Sequence, residues 1–310
     1  MAATPLISVV IPCHNHARFL HEALDSIGTP SRPLEIVVVD DGSTDDSAEV
    51  ADGYARRQPP GASVRVIHQA KAGVAAARNR GFRESRGQFV VFLDSDDRLA
   101  PNALDVGARA LDDHPEAVFA YGRCQMMAGD GTLLPTPQQP RIERHAYQEL
   151  LRNNCIWTPA NVMFRRGPLE RYGVFDPALS GSADYELYLR LARNHPIHDH
   201  GQLVAHYRRH GSNIRSHAAR MLRETLTVLR SQRPYVDGDA EAMAAYREGW
   251  RNWQELYGSR LVNEIRDHVH VGEWALALQK AIVLWLFYPR GLAHHARQRL
   301  RRARALGAPG

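Results

Sequence analysis

The chain has 310 residues, 44% hydrophobic and 24% charged, the balance of a globular protein with room for one large domain or a domain plus an appendage. A formal net charge of +5 is too mild to mark a nucleic-acid binder. Cys13, Cys124 and Cys155 lie far apart, which argues against a disulfide framework and against a zinc site.

The first residues, Met1 to Pro5, carry no basic n-region, so no secretory signal is expected. Leu6 to Ile11 has the pattern of a strand. Ala17 to Ile27 follows as a helix, with Leu20, Ala23, Leu24 and Ile27 on one face. Leu34 to Val39 is a second strand. Ser43 or Thr44 then caps a helix whose first turn carries Asp45 and Asp46. Val64 to His68 is a third strand, Gly73 to Ser85 a helix, and Gln88 to Leu93 a fourth strand. Strands alternating with helices imply a mainly parallel, doubly wound α/β sheet.

Beyond Asp97 the pattern changes. Pro101 to Asp112 reads as a helix with proline in its first turn. Ala117 to Tyr121, Asn161 to Arg165 and Leu203 to Tyr207 are short strands. Gly129 to Arg141 is a Gly-, Pro- and Gln-rich loop. Asp184 to Arg193 is helical. From about Ser216 onward only helix patterns occur. The expected organisation is a catalytic domain over residues 1–215 and a helical C-terminal extension over 216–310.

Two acidic clusters stand at strand ends. One is Asp40-Asp41-Gly42-Ser43-Thr44-Asp45; the other is Asp94-Ser95-Asp96-Asp97. Ligands of open α/β sheets bind just beyond the carboxyl ends of the strands. Carboxylates there repel a bare phosphate, and a divalent cation bridging them to a diphosphate removes the conflict. A hard ion, Mn²⁺ or Mg²⁺, suits such oxygens. The plainer reading of each cluster is a polar turn that starts a helix. Asp40 and Asp41 could instead accept hydrogen bonds from a base or ribose, because a buried carboxylate without donors is costly.

Four segments in order carry a family resemblance: Ser8-Val9-Val10-Ile11-Pro12-Cys13-His14-Asn15, Val39-Asp40-Asp41-Gly42-Ser43-Thr44-Asp45, Gly73-Val74-Ala75-Ala76-Ala77-Arg78-Asn79, and Asp94-Ser95-Asp96-Asp97. Over roughly residues 5 to 215 the chain resembles family 2 glycosyltransferases. The resemblance implies a Rossmann-like GT-A fold and a nucleotide-sugar donor, commonly a UDP-sugar. It implies that Pro12 and His14 line the base pocket, that Asn15 supports the turn and that Asp41 contacts the uracil. Arg78 falls near base and phosphates. Asp94 falls close to the sugar or ribose, with Ser95 beside it, and Asp96 is the main metal ligand. Lys71 stands where many members have Asn, and a cation there could meet a phosphate.

The resemblance also implies an inverting transfer with a general base near the start of a helix. Asp184 matches that aspartate, although Ala183 stands where the family often has Glu. The alternatives are Asp184 as a helix N-cap and Glu186 as the base; Glu186 lies about 200° around the helix from Asp184. His210, in His206-Tyr207-Arg208-Arg209-His210-Gly211-Ser212-Asn213, is the candidate second metal ligand; the plainer reading is a solvated loop. His195, His198 and His200 read as surface residues of a turn. Trp157 could stack on a sugar or belong to the core, and the stretch from Gly129 to Asn154 is expected to border the acceptor.

Beyond Glu273 there is no acidic residue, and Arg290, Arg297, Arg299, Arg301, Arg302 and Arg304 follow the apolar run Ala281 to Tyr288. That run is far short of the roughly 20 residues a membrane span needs. An apolar helix beside a basic segment can lie on an anionic membrane surface. The plainer alternative is a packed helix with a solvated basic tail. The expected protein is cytoplasmic, with the inner face of the membrane as the place of any peripheral contact, a carbohydrate or lipid-linked acceptor and no nucleic acid. Two other functions are consistent with these residues: an idle nucleotide-sugar-binding module and another metal-dependent nucleotide enzyme such as a nucleotidyltransferase. Dinucleotide binding and P-loop chemistry are disfavoured because neither glycine motif occurs.

Overall fold

The structure is a computed structural model, and residues 6–57, 59–210, 217–289 and 291 are described. The chain divides into two compact units, Met1–Leu150 with Asn154–Gly211, and Leu151–Asn153 with Ser212–Gly310.

The first unit opens with β1 (Ile7–Cys13), α1 (Ala17–Asp25), β2 (Leu34–Asp41), α2 (Ser47–Arg57), β3 (Ala62–Gln69), α3 (Val74–Glu84) and β4 (Phe89–Phe92). β1 and β2 are buried along their whole length, as expected of β-branched strands covered on both faces. β3 alternates between half-buried and exposed positions because it is the edge strand. β1 pairs in parallel with β2 and β4, and β2 with β3.

The chain continues through β5 (Arg98–Leu99), α4 (Ala103–Asp113), β6 (Phe119–Ala128), α5 (Ala146–Arg152), a 3₁₀ turn (Pro159–Asn161), β7 (Val162–Arg165), α6 (Arg166–Tyr172), α7 (Ala183–Ala192) and β8 (His198–Arg209). The described strands form a single mixed, mostly parallel sheet in the order β3-β2-β1-β4-β7-β6-β8-β5. β7 is antiparallel to β4 and β6, β5 is antiparallel to β8, and β6 runs parallel to β8. The core beneath it joins Val9, Ile11, Leu20, Leu24, Ile36, Val91, Leu104 and Met163.

Several boundaries differ from the sequence reading. Neither Ser43 nor Thr44 caps α2. Asp45 does so, its Oδ1 accepting from the Ser47 N–H at 3.0 Å, while Ser43 and Thr44 bond to Asn15. Pro101 lies ahead of α4, whose preceding residue Asn102 is left-handed at φ 61°. α5 and α6, at seven residues each, are too short to show a helical period. β8 spans 12 residues and takes in His198 and His200, which are therefore half-buried strand residues and not a surface turn. Trp157 packs, partly buried, against the core.

The second unit holds α8 (Ala218–Val236), α9 (Ala240–His270) and α10 (Trp274–Phe287), which pack on one another. Asp239 caps α9, accepting from the N–H groups of Glu241 and Ala242. Trp253 and Tyr257 stack at 5.6 Å on α9. The arginine series from Arg290 to Arg304 and the stretch Gly211 to Asn213 lie outside the described residues.

Candidate active site

Because β2, β1 and β4 are adjacent and parallel, their carboxyl ends align. Cys13 pairs with Asp40, and Val10 with Phe92. The segments that leave these strands, His14 to His16, Asp40 to Ser43 and Asp94 to Asp97, therefore gather at one edge of the sheet.

The edge is stitched together by side chain to backbone bonds. Asn15, left-handed at φ 56°, accepts from the Thr44 N–H at 2.8 Å, and its own N–H donates to Ser43 Oγ at 3.0 Å. Gly42, at φ 69°, brings the loop so close to the chain after β3 that a Cβ there would lie 2.9 Å from the Lys71 nitrogen. Only glycine fits such a position. Pro12 is buried at the end of β1, Lys71 is exposed, and His14 is half-buried with no protein partner for its buried Nδ1.

Asp41 is buried, but its carboxylate has protein donors. Oδ1 accepts from Gln69 Nε2 at 2.7 Å and from the Ala72 N–H at 2.8 Å, and Oδ2 accepts from the Gly73 N–H at 2.8 Å. Donors to this carboxylate thus come from the protein itself, from the end of β3 and from the loop leading into α3. Asp40 accepts from the Ser43 N–H at 3.1 Å and bonds His68 Nδ1 at 3.2 Å. Burial raises its pKa, but the Ser43 and His68 contacts outweigh burial and leave it below the ordinary carboxylate value.

Arg78, buried on α3, donates to Asp94 Oδ1 at 2.5 Å and lies over the Phe175 ring at 5.0 Å. Burial disfavours its charge, but Asp94 and then Asp184 more than compensate, so the guanidinium stays ionised. Its buried Nε has no protein partner. Asp184 is buried in the first turn of α7, one residue into the helix, and the residue flanking the helix is Ser182. Asp184 Oδ1 accepts from the Tyr185 N–H at 2.8 Å. Glu186 is turned to Arg190, with both carboxylate oxygens bonded at 2.9 Å. Arg190 in turn holds the carbonyls of Tyr172, Gly173 and Val174.

Asp96 Oδ2 lies 2.8 Å from His210 Nε2. Burial raises its pKa, yet the His210 bond and the nearby His16 and His210 rings reverse the shift and lower it. Asp97 behaves oppositely. It is fully buried, repelled by Asp96 and Asp94, and raised well above the ordinary value despite bonds from the Arg208 N–H and the Thr158 hydroxyl. Asp97 is thus a bracing residue, anchored to β8 through Arg208, which is itself fully buried and paired with Glu22 at 2.7 Å.

His16 escaped the sequence reading. Together with Asp96 and His210 it offers ligand atoms that all lie within 4.8 Å of one another. Its signal was faint: histidine directly after Asn15, where α1 needs an oxygen cap. One carboxylate with two imidazoles is a donor set that suits a divalent cation.

The family model for glycosyl transferase family 2 matches residues 8–173. An uncharacterized glycosyltransferase of Bacillus subtilis, EpsJ, is 31% identical over 203 residues, 61% of this chain and 56% of that protein. YibD, an uncharacterized glycosyltransferase of Escherichia coli, is 40% identical over 106 residues, 34% of this chain and 30% of that one. The chain therefore spans about half or less of the length of these relatives. Among solved structures, S. aureus TarS 1-349 in complex with UDP-GlcNAc aligns at a TM-score of 0.64 and 21% identity, covering 93% of this chain and 83% of that one. The mannosyltransferase PcManGT of Pyrobaculum calidifontis, in complex with GDP-Man and Mn²⁺, aligns at 0.58 and 18% identity, covering 93% and 82%. These structures share the GT-A-like fold. With the acidic strand ends on a mostly parallel sheet and a family model that covers more than half of the chain, the protein belongs to glycosyltransferase family 2.

Proposed function

We propose that the protein is an inverting glycosyltransferase that moves a sugar from a nucleoside-diphosphate sugar, a UDP-sugar by preference, to an acceptor hydroxyl. The observation that carries this reading is the convergence of Arg78, Asp94 and Asp184. Arg78 binds Asp94 directly and feels the charge of Asp184. The buried carboxylate of Asp184 thereby lies within electrostatic reach of a buried cation that is bonded to Asp94.

In this reading Asp184 takes the proton from the acceptor hydroxyl as that oxygen attacks the anomeric carbon, and the nucleoside diphosphate leaves from the opposite face. An α-linked donor gives a β-linked product. Pro12, His14, Asn15 and Asp41 hold the nucleotide base. Asp94, with Ser95 beside it, faces the ribose or sugar, and Arg78 and Lys71 serve the phosphates. Asp96 and His210 would hold Mn²⁺ or Mg²⁺, which offsets the charge of the departing diphosphate. That donor class is supported by the UDP-GlcNAc and GDP-Man complexes of the structural relatives.

The acceptor is proposed to be a carbohydrate or lipid-linked precursor in bacterial cell-surface polysaccharide or glycolipid synthesis, reached by peripheral contact with the membrane. Residues 1–215 form the catalytic domain and 216–310 the extension in this proposal.

The test is a titration of UDP, GDP and dTDP, with and without Mn²⁺, followed by donor turnover for the wild type and Asp184→Asn. Metal-dependent binding of one nucleotide is expected. The substitution should leave that binding within about threefold and lower transfer by roughly 10²–10⁴-fold. Full transfer by Asp184→Asn would remove it as the base. Nucleotide binding with no transfer or donor hydrolysis in the wild type would favour an idle binding module.

A further inference from the structure

We infer that His16 is a third protein ligand to the metal, which gives this chain a two-histidine, one-carboxylate site that loads a first-row transition ion before the nucleotide arrives and discriminates against Mg²⁺. The inference rests on the donor-site reading above but concerns a residue that the family motifs do not single out.

His16 immediately precedes α1, where a side-chain oxygen normally accepts a first-turn N–H. His16 makes no such bond. Asp45 takes that task, its Oδ2 accepting from the Ala17 N–H at 3.1 Å. The imidazole is thus released from helix capping and turned toward the loop after β4.

Nδ1 of His16 bonds Ser95 Oγ at 2.8 Å, which leaves Nε2 as the atom available for a metal. A metal-bound histidine commonly has its other ring nitrogen fixed in this way. The His16 backbone N–H donates to Ser47 Oγ at 2.9 Å, so the residue is held at both ends. The His16 and His210 rings meet edge to face at 5.8 Å, and both rest on Phe19, at 5.9 and 4.9 Å. Phe19 is buried on α1. The two imidazoles are therefore placed by packing before any ion binds.

Mg²⁺ prefers oxygen ligands and keeps much of its water. Imidazole nitrogens favour later first-row ions, and two histidines with one carboxylate leave open positions for further oxygens. Diphosphate oxygens can take those positions when the donor binds.

The experiment uses nucleotide-free full-length protein. Co²⁺ binding is followed by its visible absorption, Mg²⁺ by calorimetry, and bound Mn²⁺ by electron-nuclear spin-echo spectroscopy. The wild type is expected to bind Co²⁺ at one site and more tightly than Mg²⁺. The Mn²⁺ spectrum should carry two imidazole nitrogens. His16→Gln should lose at least about tenfold in Co²⁺ affinity, since removing a ligand costs no less than removing a group that orients one, and should show one nitrogen, with its thermal unfolding checked alongside.

A single nitrogen in the wild type overturns the inference without relying on any variant. So does unchanged Co²⁺ affinity in folded His16→Gln, or failure of the wild type to bind Co²⁺ unless UDP is added. In those cases loss of UDP–Mn²⁺ binding in Asp96→Ala would still uphold the donor site, whereas its retention would remove that reading too.

Discussion

The carboxylates of the donor edge could be read from the sequence because they sit in runs directly after strand-forming segments. Asp94, Asp96, Asp40 and Asp41 needed only the strand period to be placed at one edge. The histidines were harder, because an imidazole serves as ligand, core filler or surface group according to contacts that spacing does not encode. His16 and His210 lie 194 residues apart and meet only through the fold. His200 shows the opposite error. It lies on β8, its Nδ1 accepts from the Gln202 N–H at 3.2 Å, and burial lowers its pKa to about 4. The unfolded chain therefore takes up this proton before the folded one does. Stability from neutral His200 is fully present above pH 6.5 and is lost as pH falls from 6.5 to about 4, with a slope of at most about 1.4 kcal/mol per pH unit. His200→Gln should flatten the acid limb of a denaturation midpoint measured from pH 7 to 4. An unchanged limb would show that this ring titrates normally.

At the scale of elements, the alternation from β1 to β4 was legible because each unit is long enough to show its period. α5, α6 and the 3₁₀ turn were not, and β8 was truncated because its first half is polar: His198, Asp199, His200, Gly201 and Gln202. Its ladder is set by pairing with β6, from Ala120 with His198 to Ala128 with Arg209, and long-range pairing overrides local pattern. Asp41 was read as able to accept from a base or ribose; the fold adds donors from Gln69 at the end of β3 and from the loop before α3. The seating of α3 is correspondingly tight. A Cβ at Gly81 would lie 2.4 Å from Val10 Cγ1 and 3.2 Å from Val39 Cγ2. Both neighbours are stiff β-branched residues of the central strands. Gly81→Ala gains about 1 kcal/mol of helix propensity, but overpacking of this kind costs roughly 1–3 kcal/mol. A net loss in urea-unfolding stability is expected, together with weaker nucleotide binding, since α3 carries Arg78. A gain in stability would mean that α3 moves off the sheet freely.

At the scale of the whole molecule, the C-terminal helices bear on where the proposed transfer takes place. No helix among the described residues is long and apolar enough to cross a membrane. α10 nevertheless exposes Trp274, Leu278, Ile282, Trp285 and Leu286, each more than half accessible, while its neighbours Ala277 and Leu284 are buried. A stripe of this size with tryptophans is costly to leave in water, and tryptophan favours the membrane interface. The sequence after it carries Arg290, Arg297, Arg299, Arg301, Arg302 and Arg304 and no acid. Each basic residue near an anionic surface contributes about 1 kcal/mol, attenuated by salt. The peripheral membrane contact proposed above would use this apolar face together with the arginine run, and an anionic lipid surface matches both. Flotation with vesicles of phosphatidylglycerol and phosphatidylcholine is expected to carry the full chain upward at low salt, and phosphatidylcholine alone should not. Trp285→Ser with Leu286→Ser should reduce binding at every salt concentration, whereas arginine-to-glutamine changes should remove only its salt-sensitive part. Equal flotation on neutral vesicles would assign the contact to apolar insertion alone. Absence of flotation on either composition would remove the proposed membrane contact and leave α10 as a surface for protein.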